Sequence, residues 1–436
     1  MSIDIRSAAV AARRALGATL LTVGAITPAA AQSVAITGGR VHTATGAPID
    51  GGTVLIRDGR IVAVGRDVTI PQGVERIDAT GKWVTPGLIN ANTQLGLIEV
   101  GQVSETRNAS ARGRGDAINA AFTVWDGLNP ASALLAQARD DGVTTVGIIP
   151  TGGLIAGQAA VIDLVDGSVS DMLVRQPVAM VGQVGRAAAA NTNARGELIV
   201  KLRELLEDTR TYSRRRADFE RAETRPFAAS RLDLEAMIPV VQGRLPFIVA
   251  ADKASDIEAV LELSKQYGLR PIISGGAEGW MIAEKLAAAK VPVMAGAMNN
   301  LPGDFSTLGT RQENAALLRR AGVTVLLIGN GPGDPESFNV RNVRQEAGNA
   351  VAYGMSWDDA FRAVTIVPAE VLGVADRVGS LAAGREGNVV VWSGDPFELS
   401  TTPERVFVRG REITAPTREE LLTERYKRLP PTYNSP

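Results

Sequence analysis

Between Trp83 and Gly373, short apolar runs alternate with segments of helical period, and this alternation restricts the fold more than any other feature of the chain. Residues 144–149, 178–181, 247–251, 271–273, 291–295 and 323–328 are compact and apolar, the texture of strands buried on both faces. Helix signals lie between several of them. Ser255-Asp256-Ile257-Glu258 has the form of a capping box, and Ile257, Val260, Leu261 and Ser264 follow at helical spacing as far as Gly268. Ser356 with Asp359 predicts another start, ahead of residues 360–364. Such alternation predicts an α/β chain with parallel strands, in a closed barrel or a doubly wound sheet.

The flanks read differently. Val34-Ala35-Ile36, Thr53-Val54-Leu55-Ile56 and Arg60-Ile61-Val62-Ala63-Val64 are short strands, the last two joined by the hairpin turn Asp58-Gly59, and Glu75-Arg76-Ile77 is a further strand. Strand texture returns at Asn388-Val389-Val390-Val391-Trp392 and Arg405-Val406-Phe407-Val408. Residues 32–84 and 376–415 are therefore expected to pair into one discontinuous β domain around a unit of residues 85–375. Residues 416–436 form a tail, with a short helix over 417–428. Residues 195–236 are densely charged and include Arg214-Arg215-Arg216; they read as a solvated helical insertion or an anion-binding arm.

Composition removes several kinds of chemistry. The 46 Lys and Arg balance 47 Asp and Glu, and aromatics make up 4% of the chain, so neither a basic field nor a base-stacking platform points to nucleic acid. There is no cysteine, which excludes disulfides and thiolate chemistry. There is one histidine, His42, so a multi-histidine site within one chain is impossible. Arg6, Arg13 and Arg14, the apolar run from Ala15 to Ile26, and Ala29-Ala30-Ala31 have the layout of an export signal over residues 1–31, with the mature chain starting at Gln32. The alternative is a membrane anchor or a helix of the fold; the apolar run is short for a stable anchor. A periplasmic or secreted protein is expected, by a Sec or a Tat route.

The string Asp78-Ala79-Thr80-Gly81-Lys82-Trp83-Val84-Thr85-Pro86-Gly87-Leu88-Ile89-Asn90-Ala91 resembles the start of the barrel in the amidohydrolase superfamily, particularly its imidazolonepropionase-like members. The resemblance continues through Gly142-Val143-Thr144-Thr145-Val146, Ile155-Ala156-Gly157-Gln158, Thr365-Ile366-Val367-Pro368-Ala369 with Leu372-Gly373, and Val378-Gly379-Ser380-Leu381 with Gly384. It implies a (β/α)8 TIM-type barrel flanked by a β-sandwich made from both chain ends. It also implies a metal-dependent hydrolase of C–N bonds other than peptide bonds, using zinc or another divalent metal.

In that family the first barrel strand ends in His-x-His; here the same positions hold Asn92-Thr93-Gln94. The later stretches that resemble metal-bearing strand ends, Val249-Ala250-Ala251-Asp252, Ile273-Ser274-Gly275-Gly276 and Ile328-Gly329-Asn330-Gly331, contain no histidine. Neutral amide oxygens hold a divalent cation poorly, and zinc needs about three strong N, S or carboxylate ligands. No metal site and no cofactor are therefore expected. Asn92, Gln94 and Asn330 become ligand-binding candidates at the barrel mouth, with inert filling as the alternative for the first two. Asp252, Asp334 and Glu99 are candidates for carboxylate chemistry, Asp304 lies in a similar loop, and ordinary loop acids or helix caps are the alternative. Arg107, Arg112 and Arg114 sit on the loop after the first strand, either guarding the mouth and binding an anion or simply solvated. His42, in the β module, is expected to be structural or on the surface.

The expectation is a degenerate, non-catalytic member, a pseudoenzyme that binds a small ligand or a partner. The partner is a second copy of the chain or an active amidohydrolase relative, with no nucleic acid and no stable membrane anchor. The alternative is an active hydrolase of carbon–nitrogen bonds that uses carboxylates, an unusual metal site or residues of a neighbouring subunit.

Overall fold

The structure is a computed structural model that describes residues 33–111, 117–185, 194–298, 302–303, 305–329, 339–416 and 418–427. The expected export segment with Gln32, and Arg112, Arg114, Asp304, Asn330 and Asp334, lie outside these residues.

Both chain ends build one eight-stranded sheet. From the first end come β1 (Val34–Val41), β2 (Ile49–Arg57), β3 (Arg60–Gly65), β4 (Glu75–Asp78) and β5 (Trp83–Pro86). The second sheet-forming group begins later, after the barrel strands. Asp58 and Gly59 both take positive φ, 54° and 77°, the backbone that a two-residue hairpin between β2 and β3 requires. β1 pairs with β4 through Val34–Thr37 and with β5 through Arg40 and Val41, changing partner at Gly38-Gly39. A side chain at Gly38 (φ 77°) would run into the Thr80 hydroxyl.

The barrel strands follow: β6 (Leu88–Thr93), β7 (Val143–Ile148), β8 (Ile155–Asp163), β9 (Leu173–Gln183), β10 (Phe247–Ala251), β11 (Pro271–Gly275), β12 (Val293–Ala295) and β13 (Val325–Leu327). They form a second eight-stranded sheet in sequence order. Its two ends, β6 and β13, lie against each other, so the sheet is nearly closed into a barrel. Seven strands run the same way. β8 is antiparallel to both β7 and β9, a departure from the all-parallel expectation. The physical reason is the link before it: six residues with Gly152 and Gly153 at positive φ leave no room for the crossover helix that a parallel return needs.

Ile89, Ala159, Ala179, Ile248, Ile272, Met294 and Leu326 pack together as the barrel's filling, one from each of seven strands. Truncating Met294 or Leu326, both fully buried, to alanine costs about 2–5 kcal/mol. Around the barrel lie α1 (Ala133–Asp140), α2 (Val169–Met172), α3 (Arg195–Arg214), α4 (Arg216–Glu220), α5 (Arg231–Val241), α6 (Ala254–Tyr267), α7 (Ala283–Ala288), α8 (Asn314–Arg320), α9 (Val343–Ala352), α10 (Trp357–Ala363) and α11 (Ile366–Val371). α6 ends, as expected, at Gly268 in the left-handed region, but its N-cap is Lys253 rather than Ser255; the free Ala254 N–H is taken by Glu278 Oε2 at 3.0 Å. α10 starts on Ser356, whose hydroxyl accepts from Asp359 N–H at 3.1 Å. The segment after β9 is the helical insertion α3–α5. Several of its arginines find counter-ions within it: Arg215 with Asp218, Arg216 with Glu220 and Glu235, and Arg225 with Asp208.

The composite sheet is completed by β14 (Val389–Trp392), β15 (Pro403–Val408) and β16 (Arg411–Glu412), and β14 inserts between β5 and β15. α12 (Arg418–Tyr426) follows. Trp392 is fully buried, donates from Nε1 to the Thr85 hydroxyl at 2.8 Å, and lies so close to Gly142 that any side chain there would strike its ring. That contact gives the Gly142-Val143 step its glycine and seats the sheet against the barrel. No described helix is long and apolar enough to cross a membrane.

Candidate functional site at the barrel mouth

The C-terminal ends of the parallel strands form the mouth, the face on which barrels of this kind carry their chemistry. β6 leaves regular pairing there, with its register against β7 shifting between Asn90 and Thr93. Asn90 is fully buried and donates to the Val340 carbonyl at 3.2 Å, while its Oδ1 accepts from Asn92 N–H at 3.3 Å. Thr93 donates to the Gly147 carbonyl at 3.0 Å. The irregular turn sends the Asn92 side chain across the barrel, where Nδ2 donates to the Ser274 hydroxyl on β11 at 3.1 Å. β12 and β13 stand between β11 and β6 on the shorter way round the sheet, so this bond spans the interior. Two positions singled out in the sequence, Asn92-Thr93-Gln94 and Ile273-Ser274-Gly275-Gly276, thus meet in space. Gln94 is buried too, and its Oε1 has no hydrogen-bond partner.

The carboxylates are dispersed. Glu99 accepts from Asn129 Nδ2 at 3.0 Å and from the hydroxyl of Ser132, the N-cap of α1, at 2.9 Å, so both oxygens hold the loop after β6 to α1. Asp252 follows β10, and its Oδ1 accepts from Ala277 N–H at 3.3 Å beyond β11. Arg107 donates to the Gly101 carbonyl of its own loop at 3.2 Å.

Sequence reasoning missed Glu346. It is fully buried on α9, and its Oε2 accepts from the backbone N–H groups of Ala297 and Met298, just past β12; the second distance is 2.7 Å. Its Oε1 has no partner. Burial pushes this carboxyl up to about 7, with the two N–H bonds holding it back. The available signal was periodicity: Glu346 falls in the stripe Val343, Ala347, Ala350 that α9 buries.

His42 is far from this chemistry. It stacks on Trp83 (centroids 4.4 Å apart, planes at 15°) and touches Trp357 and Phe361 between the sheet and α10. Burial, reinforced by the positive charge of Arg40, lowers its pKa to about 4, so it is neutral at physiological pH.

Comparison with known proteins places this arrangement. Residues 249–413 match the model of the amidohydrolase family. An imidazolonepropionase of Acidiphilium cryptum is 25% identical over 382 residues, covering 80% of this chain and 89% of the relative. The amidohydrolase tasK of Hapsidospora irregularis is 22% identical over 82% of this chain, which spans 39% of that protein's length. The crystal structure of an amidohydrolase from Thermotoga maritima superposes with a TM-score of 0.79 at 26% identity, covering 87% of this chain and 99% of the other. The chain resembles the amidohydrolase superfamily in sequence and in fold.

The superfamily implies a divalent metal, and the side chains described at the mouth, Asn92, Gln94 and Ser274, do not suit one. The amide of Asn92 turns its N–H toward Ser274, whose neutral hydroxyl is a weak ligand, and Gln94 offers a neutral carbonyl. Among the described residues, no three His, Asp or Glu side chains gather as a metal site would require.

Proposed function

We propose that this amidohydrolase-superfamily protein is a non-catalytic, exported member that uses its barrel mouth to bind a small ligand or a partner subunit. The observation that carries this reading is the Asn92–Ser274 hydrogen bond, which ties two neutral side chains to each other across the mouth. Function resides in the site rather than in the barrel, so loss of the ligand set removes the inference from fold to hydrolysis. The partner we favour is a second copy or an active relative that retains its histidine pair. Export rests on the N-terminal charge and apolar pattern, and N-terminal sequencing of the periplasmic fraction should find Gln32; an intact Met1 chain in the cytoplasm would remove the localisation.

Elemental analysis of the purified mature chain tests the central claim. The expected result is well under one equivalent of divalent metal and a melting temperature insensitive to chelators, because a metal bound only to the folded state would stabilise it. One equivalent that survives dialysis, with chelator-sensitive hydrolysis of an acyl amide, would instead establish an active hydrolase built on carboxylates, an unusual metal or a neighbour's residues. Co-purification from native periplasm, then light scattering, decides between assembly and ligand binding.

A further inference from the structure

A half-open cleft of about 450 Å³ lies beside the mouth, between the α3–α5 insertion and the strap that joins β8 through the pairs Ile118–Ile155 and Thr123–Gln158. Its volume falls in the range of about 300–1,000 Å³ typical of small-molecule sites. Leu154, buried, and Ile118, half-buried, give it apolar walls. Phe227 gives it an aromatic one, held in place by stacking on Phe219 with the planes at 9°.

The charges that line it are unequal in what they have left to offer. Asp233 is committed to the fold: Oδ1 accepts from Ala121 N–H at 2.9 Å and Oδ2 from the Ser230 hydroxyl at 2.5 Å. Lys201 is neutralised by Glu197 one turn earlier on α3, at 3.0 Å. Glu204, on the same face of α3, has no ion pair or hydrogen bond among the described residues. Among the described residues the cleft therefore joins apolar and aromatic surface to one carboxylate with no partner, Glu204, beside a second, Asp233, whose oxygens are hydrogen-bonded but whose charge has no counter-ion. We propose that it binds a small organic cation, an amine or quaternary ammonium that carries an aromatic or branched apolar group. The ammonium meets Glu204 and the apolar group lies on Phe227, Ile118 and Leu154, the pairing of surfaces that such cations select. An anion would gain only Lys201, in competition with Glu197.

Titration of 2-phenylethylammonium into the full mature chain tests this, followed by calorimetry and by amide chemical shifts, with 2-phenylethanol and 3-phenylpropionate as neutral and anionic isosteres. The ammonium should bind at least about tenfold tighter than either, with shifts confined to residues 117–123, 197–204 and 227–233. Glu204→Gln should erase that advantage, and Phe227→Ala should weaken all three probes. Lys201→Met should tighten the cation, an effect of opposite sign that a general loss of structure would not produce. Equal binding of the alcohol, a cation unaffected by Glu204→Gln, or shifts that move to the mouth and vanish in Asn92→Ala would each overturn the proposal.

Discussion

Asp163 and Glu386 converge on a single N–H: Arg409 Nε lies 2.8 Å from Asp163 Oδ2 and 3.1 Å from Glu386 Oε2. Asp163 ends β8 at the base of the barrel, and Glu386 and Arg409 belong to the composite sheet region, so this contact locks the two sheets together. Asn388 and Thr145 complete it by donating to Asp163 Oδ1 at 3.0 and 2.7 Å, and Arg377 pairs with Glu386. Burial, and then the adjacent Glu386, raise the Asp163 carboxyl to about 7. Glu386 moves the other way, because the bond from Asp163 and the two guanidiniums outweigh its own burial.

The pH dependence follows from the raised group. The folded protein holds the Asp163 proton more tightly than the unfolded chain does. Its contribution is therefore complete below the ordinary carboxylate range and is lost as pH rises through about 7. Asp163→Asn keeps an uncharged group at every pH. Urea unfolding at pH 5 and pH 8 should show the variant's stability relative to the parent improving at the higher pH; a constant difference would place the proton elsewhere.

Asn92→Ala and Ser274→Ala should each destabilise by about 1 kcal/mol, and the double variant by little more than either one. Each single change leaves the other polar group without its partner, so the coupling measured by a double-mutant cycle should be about 0.5–1.5 kcal/mol. Additive losses would mean that the bond across the mouth does not form in solution.

Glu346→Ala removes the acceptor of two backbone N–H groups in a dry site and should cost about 2–4 kcal/mol in chemical denaturation. Glu346→Gln retains an acceptor oxygen and should cost much less above pH 7, where the native carboxylate is charged, than at pH 5. Equal losses in the two variants would contradict a role in pinning the end of β12.

The only histidine of the chain gives one imidazole signal to follow. His42 should titrate near 4 in the folded protein. Its unfolded form takes up a proton near 6.5, so neutral burial adds stability that is complete above that value and declines as pH falls toward 4. A midpoint near 6.5 in the folded state would mean that the stack of Trp83 and Trp357 is open to water.

Local chemistry made much of this architecture visible in advance. The Asp58-Gly59 turn, the apolar run at 247–251, the strand texture at 388–392 and the Ser356 cap each act within a few residues, and each is where the sequence places it. β6 was legible only through the family motif, because Asn90 and Asn92 break the apolar run that marks a buried strand. β8 was partly hidden by its alanines and Gly157, and its reversed direction depends on a short link rather than on its own residues. The family motif located Asn92 and Gln94, but nothing near them in sequence announces Ser274 as a partner 182 residues away. Glu346 and the Asp163–Glu386 pair are likewise products of distant packing, in which a charge that looks like surface is enclosed by elements from elsewhere.

The place of β14 in the composite sheet sets an order of events on folding. β5 must wait for a neighbour that begins at Val389, with the whole barrel lying between them in the chain. Until that late strand exists, the β5 edge built by the first 86 residues has unpaired backbone groups and is open to pairing with another chain. Truncation before residue 389 therefore does more than shorten the protein: it leaves an adhesive edge at the opposite terminus.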